Sequence, residues 1–322
     1  MTRLWLRIPA VFLLVAAVFW SPDAAAAETQ AAKDFEAGVA AAKAGNLQQA
    51  TDLFTKAIDA GTLNESDIAR VYNNRGATYR RMGKPDQAIK DFSQALKLRP
   101  KYFRAYINRG SAYGDIGELE DAEEDFAEAI RLRPQEMISF MERARARAQN
   151  GRVDTALQDL NEVLRLQPRH REALILRGRY YRNQGDYKRA LKDFSLAIEL
   201  KGTVSEYYVE RGLTLAYIED YPAALSDMNM AASLGANNPE NYFHRGLVHG
   251  GLGNHVSAVE DYSRAITLRP GYIAALYARA LAALGAEDKK MARADALKVL
   301  ELDPSHAGAA RVIKTLDDPP VR

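Results

Sequence analysis

The chain has 322 residues, 47% of them hydrophobic and 27% charged, and its 44 basic and 42 acidic side chains leave a formal charge of +2. So small a net charge gives no global field towards nucleic acid or an anionic membrane. The absence of cysteine excludes disulfides, thiolate metal sites, a cysteine nucleophile and a lipid-modified cysteine, while the composition reads as helical and globular.

The chain opens with Arg3 and Arg7 ahead of an apolar run from Ile8 to Trp20, followed by Ala25-Ala26-Ala27 before Glu28. This pattern predicts a secretory signal over residues 1–27, cleaved after Ala27. The run contains Pro9 and is shorter than the roughly 20 residues needed to cross a bilayer. No stable membrane anchor is expected after cleavage, and the mature chain is expected in the periplasm or secreted.

From residue 69 the dipeptides Arg75-Gly76, Arg109-Gly110, Arg143-Ala144, Arg177-Gly178, Arg211-Gly212, Arg245-Gly246 and Arg279-Ala280 recur every 34 residues, giving seven contiguous units over 69–306. Ala88, Ala122, Ala156, Ala190, Ala224, Ala258 and Ala292 keep the same register, as do Phe92, Phe126, Leu160, Phe194, Met228, Tyr262 and Ala296 four residues later. Pro100, Pro134, Pro168, Pro270 and Pro304 close five of the units. Gly38, Gly45, Ala50, Phe54 and Ala57 mark a degenerate earlier unit, so residues 28–64 are expected to form an N-terminal cap. Residues 307–316 read as a covering C-terminal helix, and 317–322 as a disordered tail.

This pattern resembles the tetratricopeptide-repeat family, and the resemblance covers nearly all of the chain after Ala27. It implies an all-α, right-handed α-solenoid of helix-turn-helix repeats. The residues themselves support this: Tyr72, Gly76 and Tyr79 share one helical face, Ala88, Phe92 and Ala95 another, and Met82-Gly83-Lys84 is a turn between them. One such pair cannot bury its apolar stripe alone, so neighbouring pairs must stack.

The seven arginines stand at position 7 of each unit, where the family usually has an apolar residue. Position 23 is equally uniform: Asp91, Asp125, Asp159, Asp193, Asp227, Asp261 and Asp295. In an antiparallel hairpin these positions lie at about the same height, so each arginine should reach an aspartate in its own unit or the next. A row of anion-binding arginines is the other reading of the pattern, but the matched numbers of opposite charges favour a structural ion-pair ladder.

The resemblance further implies that positions 2, 5, 9, 12 and 13 face a partner-binding groove. These supply Arg70, Asn73, Arg80, Arg104, Arg145, Arg179, Arg182 and Asn183 in the earlier units, then Phe243 and Tyr277 in the later ones. Ile107, Met141, Ile175, Val209, Leu213, Tyr217, Leu247 and Leu281 occupy the same register. Such a surface suits an extended peptide or helix with acidic groups at one end and hydrophobic anchors at the other. The carboxylate clamp of chaperone-binding relatives is not matched, because Asn73/Ala77, Ile107/Ser111 and Met141/Arg145 lack its lysine and asparagine pattern.

No catalytic set assembles. His244 and His249 are five residues apart and diverge on a helix, glycine-rich phosphate loops and zinc or serine-hydrolase motifs are absent, and Glu123-Glu124 reads as a solvated helix face. The sequence therefore predicts a non-catalytic scaffold without cofactor, metal or nucleic acid, holding a protein or peptide partner. The alternative is an adaptor subunit that recruits an envelope enzyme or a secretion assembly.

Overall fold

The computed structural model describes residues 22–317, with side chains from residue 30, so the expected signal segment before residue 22 and the tail after 317 lie outside the described residues. Two compact units meet between Glu142 and Arg143. The described part of the first holds α1 (Pro22–Lys43), α2 (Leu47–Asp59), α3 (Glu65–Arg81), α4 (Pro85–Leu98), α5 (Phe103–Ile116) and α6 (Leu119–Leu132). The boundary falls within α7 (Met137–Gln149). In the second, α8 (Val153–Leu166), α9 (Arg171–Asn183), α10 (Tyr187–Leu200), α11 (Ser205–Tyr217) and α12 (Tyr221–Leu234) are followed by α13 (Pro239–Gly251), α14 (His255–Leu268), α15 (Ile273–Gly285), α16 (Lys289–Leu302) and α17 (Ala307–Asp317). No strand occurs among the described residues.

Each unit is a stack of helix hairpins. In the first, α3 packs on α4, α4 on α5 and α3 on α5. In the second, the odd-numbered helices α9, α11, α13, α15 and α17 touch in succession, with even-numbered helices between them in the chain. One buried contact sets the hairpin spacing. A Cβ added at Gly178 would stand 2.6 Å from the Phe194 ring, and one at Gly246 would stand 2.6 Å from Tyr262. Glycine therefore lets the aromatic ring lie against the facing helix backbone. Where the facing residue is the smaller Leu160 or Ala296, the chain has Ala144 or Ala280 in place of glycine.

The hairpin turn needs a residue in the left-handed region, supplied by Gly83, Gly117, Gly151, Gly185 and Gly253. Glu219 (φ 61°) and Glu287 (φ 62°) occupy the same position in their units, at a steric cost that glycine avoids. Pro100 and Pro270 restrict the residues before them, and Arg99 and Arg269 leave the helical region there, ending α4 and α14. His170 and His306 act as N-caps, each accepting a backbone N–H through Nδ1, from Ala173 at 3.2 Å and from Ala309 at 3.0 Å.

Candidate partner-binding surface

The arginine at position 7 leaves the middle of each first helix at the height of the aspartate on the second. Nε and Nη2 of Arg75, Arg109, Arg143, Arg177, Arg211, Arg245 and Arg279 donate to both carboxylate oxygens of the aspartate sixteen residues ahead, at 2.6–3.0 Å. Every pair lies inside its own repeat. The carboxylates retain only 4–7% exposure and the guanidiniums 16–27%, so these pairs are largely withdrawn from water and from any ligand. Hydrogen bonding to the aspartate holds Arg75, Arg109, Arg211 and Arg245 above the usual guanidinium value against the opposing effect of burial.

A third arm of the same fork is not apparent from the sequence pattern. Nη1 of Arg75, Arg109, Arg177, Arg211, Arg245 and Arg279 reaches back to a side-chain oxygen of the preceding repeat: Thr55, Ser93, Asn161, Ser195, Asn229 and Ser263, at 2.7–3.2 Å. One guanidinium thus closes its own hairpin and joins it to the hairpin before. Tyrosines stack beside several of these arginines, with Arg75 near the rings of Tyr72 and Tyr79 and Arg109 near Tyr106 and Tyr113.

The residues expected to line a groove divide sharply. Asn73 is buried and accepts a hydrogen bond from Asn108 at 2.9 Å, and Ile107, Met141, Ile175 and Val209 at the same position are buried too. In these repeats position 5 therefore packs inside the array and does not present a side chain to solvent. Most of the expected free cations are engaged with carboxylates. Arg80 pairs with Asp115, Arg145 with Glu172, and Arg70 with Asp67. Arg179 donates to Glu206 and Glu210, and Arg182 to Glu210. Arg104 makes no ion pair with any described residue, and Asn183 is exposed at the end of α9.

Phe243 sits half-buried against Tyr272 and Tyr262, with ring centroids 5.1 and 5.9 Å away, and Tyr277 packs on His306 at 4.7 Å. Glu123 corrects another expectation: it is buried on α6, while Glu124 is exposed. His244 is largely buried, and burial lowers its imidazole below the usual value against Glu210 and Glu240. No group of three metal-ligating side chains converges among the described residues.

Beside exposed polar residues such as Asn183 and Glu206, the first helices of the second unit leave large apolar side chains open. Tyr217 is 65% exposed, Leu247 42% and Leu281 45%, and Tyr217 stacks on Tyr187 with centroids 6.0 Å apart. Leu247 and Leu281 hold position 9 on the touching helices α13 and α15 and continue a position-9 strip from Leu213 on α11, which is itself half-buried against Ala224, Met228 and Val248.

Models described as tetratricopeptide repeat match residues 69–102, 103–136, 141–203, 239–272 and 273–306. Among curated proteins, tetratricopeptide repeat protein 36 of Caenorhabditis elegans is 41% identical over 61 residues, a match covering 19% of this chain and 32% of that protein. The chain thus spans about a third of the length of this relative. A tetratricopeptide repeat protein from Parabacteroides merdae ATCC 43184 is similar in structure, with a TM-score of 0.62 and 18% identity over 78% of this chain and 99% of that one. The APC/C hetero-tetramer Cut9-Hcn1 gives a TM-score of 0.58 and 16% identity over 84% of this chain and 53% of that one, and at such identities the likeness concerns the fold alone. With its all-helical hairpins, 34-residue register and protein-interaction fold, the chain belongs to the tetratricopeptide-repeat family.

Proposed function

We propose that the chain is a non-catalytic scaffold of the cell envelope that holds a peptide or protein segment against the first helices of its second unit. The supporting observation is the position-9 strip, where Leu247 and Leu281 stand exposed, as Tyr217 does, although the neighbouring arginines and glutamates are engaged with one another. An apolar strip on rigid helices can take hydrophobic anchors with little ordering cost. Arg3, Arg7, the apolar run and Ala25-Ala26-Ala27 support export of the remainder.

The test is a pull-down from periplasmic extract that compares the wild type with Leu247→Glu/Leu281→Glu, together with thermal melts. Retention of a discrete protein by the wild type and its loss from the double variant, at an unchanged melting temperature, supports the reading. Equal retention by both rejects the leucine strip. Fractionation of the tagged chain with cytoplasmic markers rejects the envelope assignment.

A further inference from the structure

The first unit has a recess at the edge where repeats join, and its chemistry is the opposite of the leucine strip. The α4–α5 loop brings Arg99 and Lys101 to it, the start of α5 brings Arg104, and the α6–α7 loop brings Arg133. Tyr102 and Phe103 form the floor, and Glu136 is the one carboxylate in the lining. Arg70 also borders the recess but is held by Asp67 at 3.0 Å. Arg99, Lys101, Arg104 and Arg133 make no ion pair with any described residue.

The aromatic floor fixes the cations without neutralising them. Arg99 lies 4.6 Å from the Tyr102 ring centre, and Arg133 and Arg104 lie 4.9 and 5.8 Å from that of Phe103. A guanidinium stacked on a ring keeps its N–H edge available to a carboxylate.

One later repeat pairs these positions. In the unit beginning at residue 239, positions 2 and 31 are Glu240 and Arg269, bonded at 2.7 Å. In the units beginning at 69 and 103 the same two positions are Arg70 with Arg99 and Arg104 with Arg133. The repeat beginning at 239 holds a carboxylate between these positions, whereas in the repeat beginning at 171 Glu172 turns to Arg145 and not to Lys201; here the chain puts a cation at both positions.

We propose that this edge binds an acidic peptide segment, whose carboxylates take the place that Glu240 takes beside Arg269. The cations are spread over two successive loops, so a row of carboxylates satisfies them where one small anion reaches only a part. They line a recess, which a bilayer surface does not enter. The site stands whether or not the leucine strip binds a partner.

Fluorescence anisotropy of a labelled oligoglutamate peptide on the purified full chain tests this, with inorganic phosphate and phosphatidylglycerol vesicles as the other arms. Salt-sensitive binding is expected, weakened about tenfold or more by Arg104→Glu and less by Arg104→Gln, with Lys314→Glu as a control of equal charge change. Arg104→Glu should leave the melting temperature unchanged or raised, because the introduced carboxylate meets Arg133 as Glu240 meets Arg269. Absence of peptide binding, equal weakening by Lys314→Glu, competition by phosphate at the peptide's own potency, or binding of vesicles alone would each overturn the proposal.

Discussion

Arg147 Nη1 donates to Asp159 Oδ2 at 2.8 Å on a carboxylate that Arg143 already grips through Nε and Nη2. Asp159 thus compensates two guanidiniums, whereas Asp227 is gripped by Arg211. Asp159→Asn should destabilise the chain by about 2–4 kcal/mol and Asp227→Asn by about 1–3 kcal/mol, below the cost of breaking a fully buried pair because the arginines keep some water contact. Urea unfolding of the two variants gives the order. Equal costs would show that the second arginine adds nothing.

Gly178 faces Phe194 so closely that a methyl group must displace the ring. Gly178→Ala should cost about 1–2 kcal/mol net, the overpacking outweighing a helix-propensity gain of about 1 kcal/mol. Adding Phe194→Leu reproduces the Ala144 and Leu160 combination, so the double variant should cost less than the sum of the single changes by about 1 kcal/mol. A double-mutant cycle by chemical denaturation measures this coupling, and strict additivity would contradict the packing account.

The turn residues Glu219 and Glu287 hold a left-handed backbone that Gly83, Gly117, Gly151, Gly185 and Gly253 supply in the other regular repeats. Glu219→Gly is therefore expected to stabilise the chain by about 0.5–1 kcal/mol, the relief of strain exceeding glycine's greater unfolded-state entropy. Differential scanning calorimetry should show a raised melting temperature. A lowered one would mean that the glutamate side chain contributes more than its backbone costs.

Burial keeps His244 neutral in the fold below the pH at which it protonates when unfolded. Its folded value lies below 6.5, so the unfolded chain takes up the proton first and stability is lost as pH falls from about 6.5 towards that lower value. Glu210 and Glu240 favour the charged ring and Arg182 opposes it. Comparing wild type with His244→Leu by urea titration between about pH 7 and about pH 5 should remove a slope of at most ~1.4 kcal/mol per pH unit. Identical slopes would rule out His244 as the titrating group.

Much of the fold was legible because the sequence repeats its apolar and small residues in phase, and phase alone defines a hairpin and its neighbours. The arginine and aspartate columns carry the same period, and the height argument links them within a hairpin. Their third partner was hidden because Thr55, Ser93 and Asn161 share only a side-chain oxygen, which no hydrophobic pattern marks. The surface was less legible. Arg179 finds Glu206 across 27 positions and Arg80 finds Asp115 across 35, contacts set by how helices of successive repeats face each other. Arg104 differs from these arginines only in what its neighbours lack, which the helix positions by themselves do not disclose.

The backward reach of Arg75, Arg109, Arg177, Arg211, Arg245 and Arg279 gives the stack a polarity. Arg109 depends on Ser93 in the repeat before it, whereas Ser93 merely accepts from the repeat after it. Detaching a hairpin on the N-terminal side strips an acceptor from a guanidinium that is already largely desolvated. Detaching one on the C-terminal side frees only a hydroxyl or, at Asn161 and Asn229, a carboxamide oxygen, which water satisfies readily. Fraying from the two ends is therefore unequal: within each unit the stack peels more easily from its C-terminal side, and a newly made repeat can lock onto the one that left the ribosome before it.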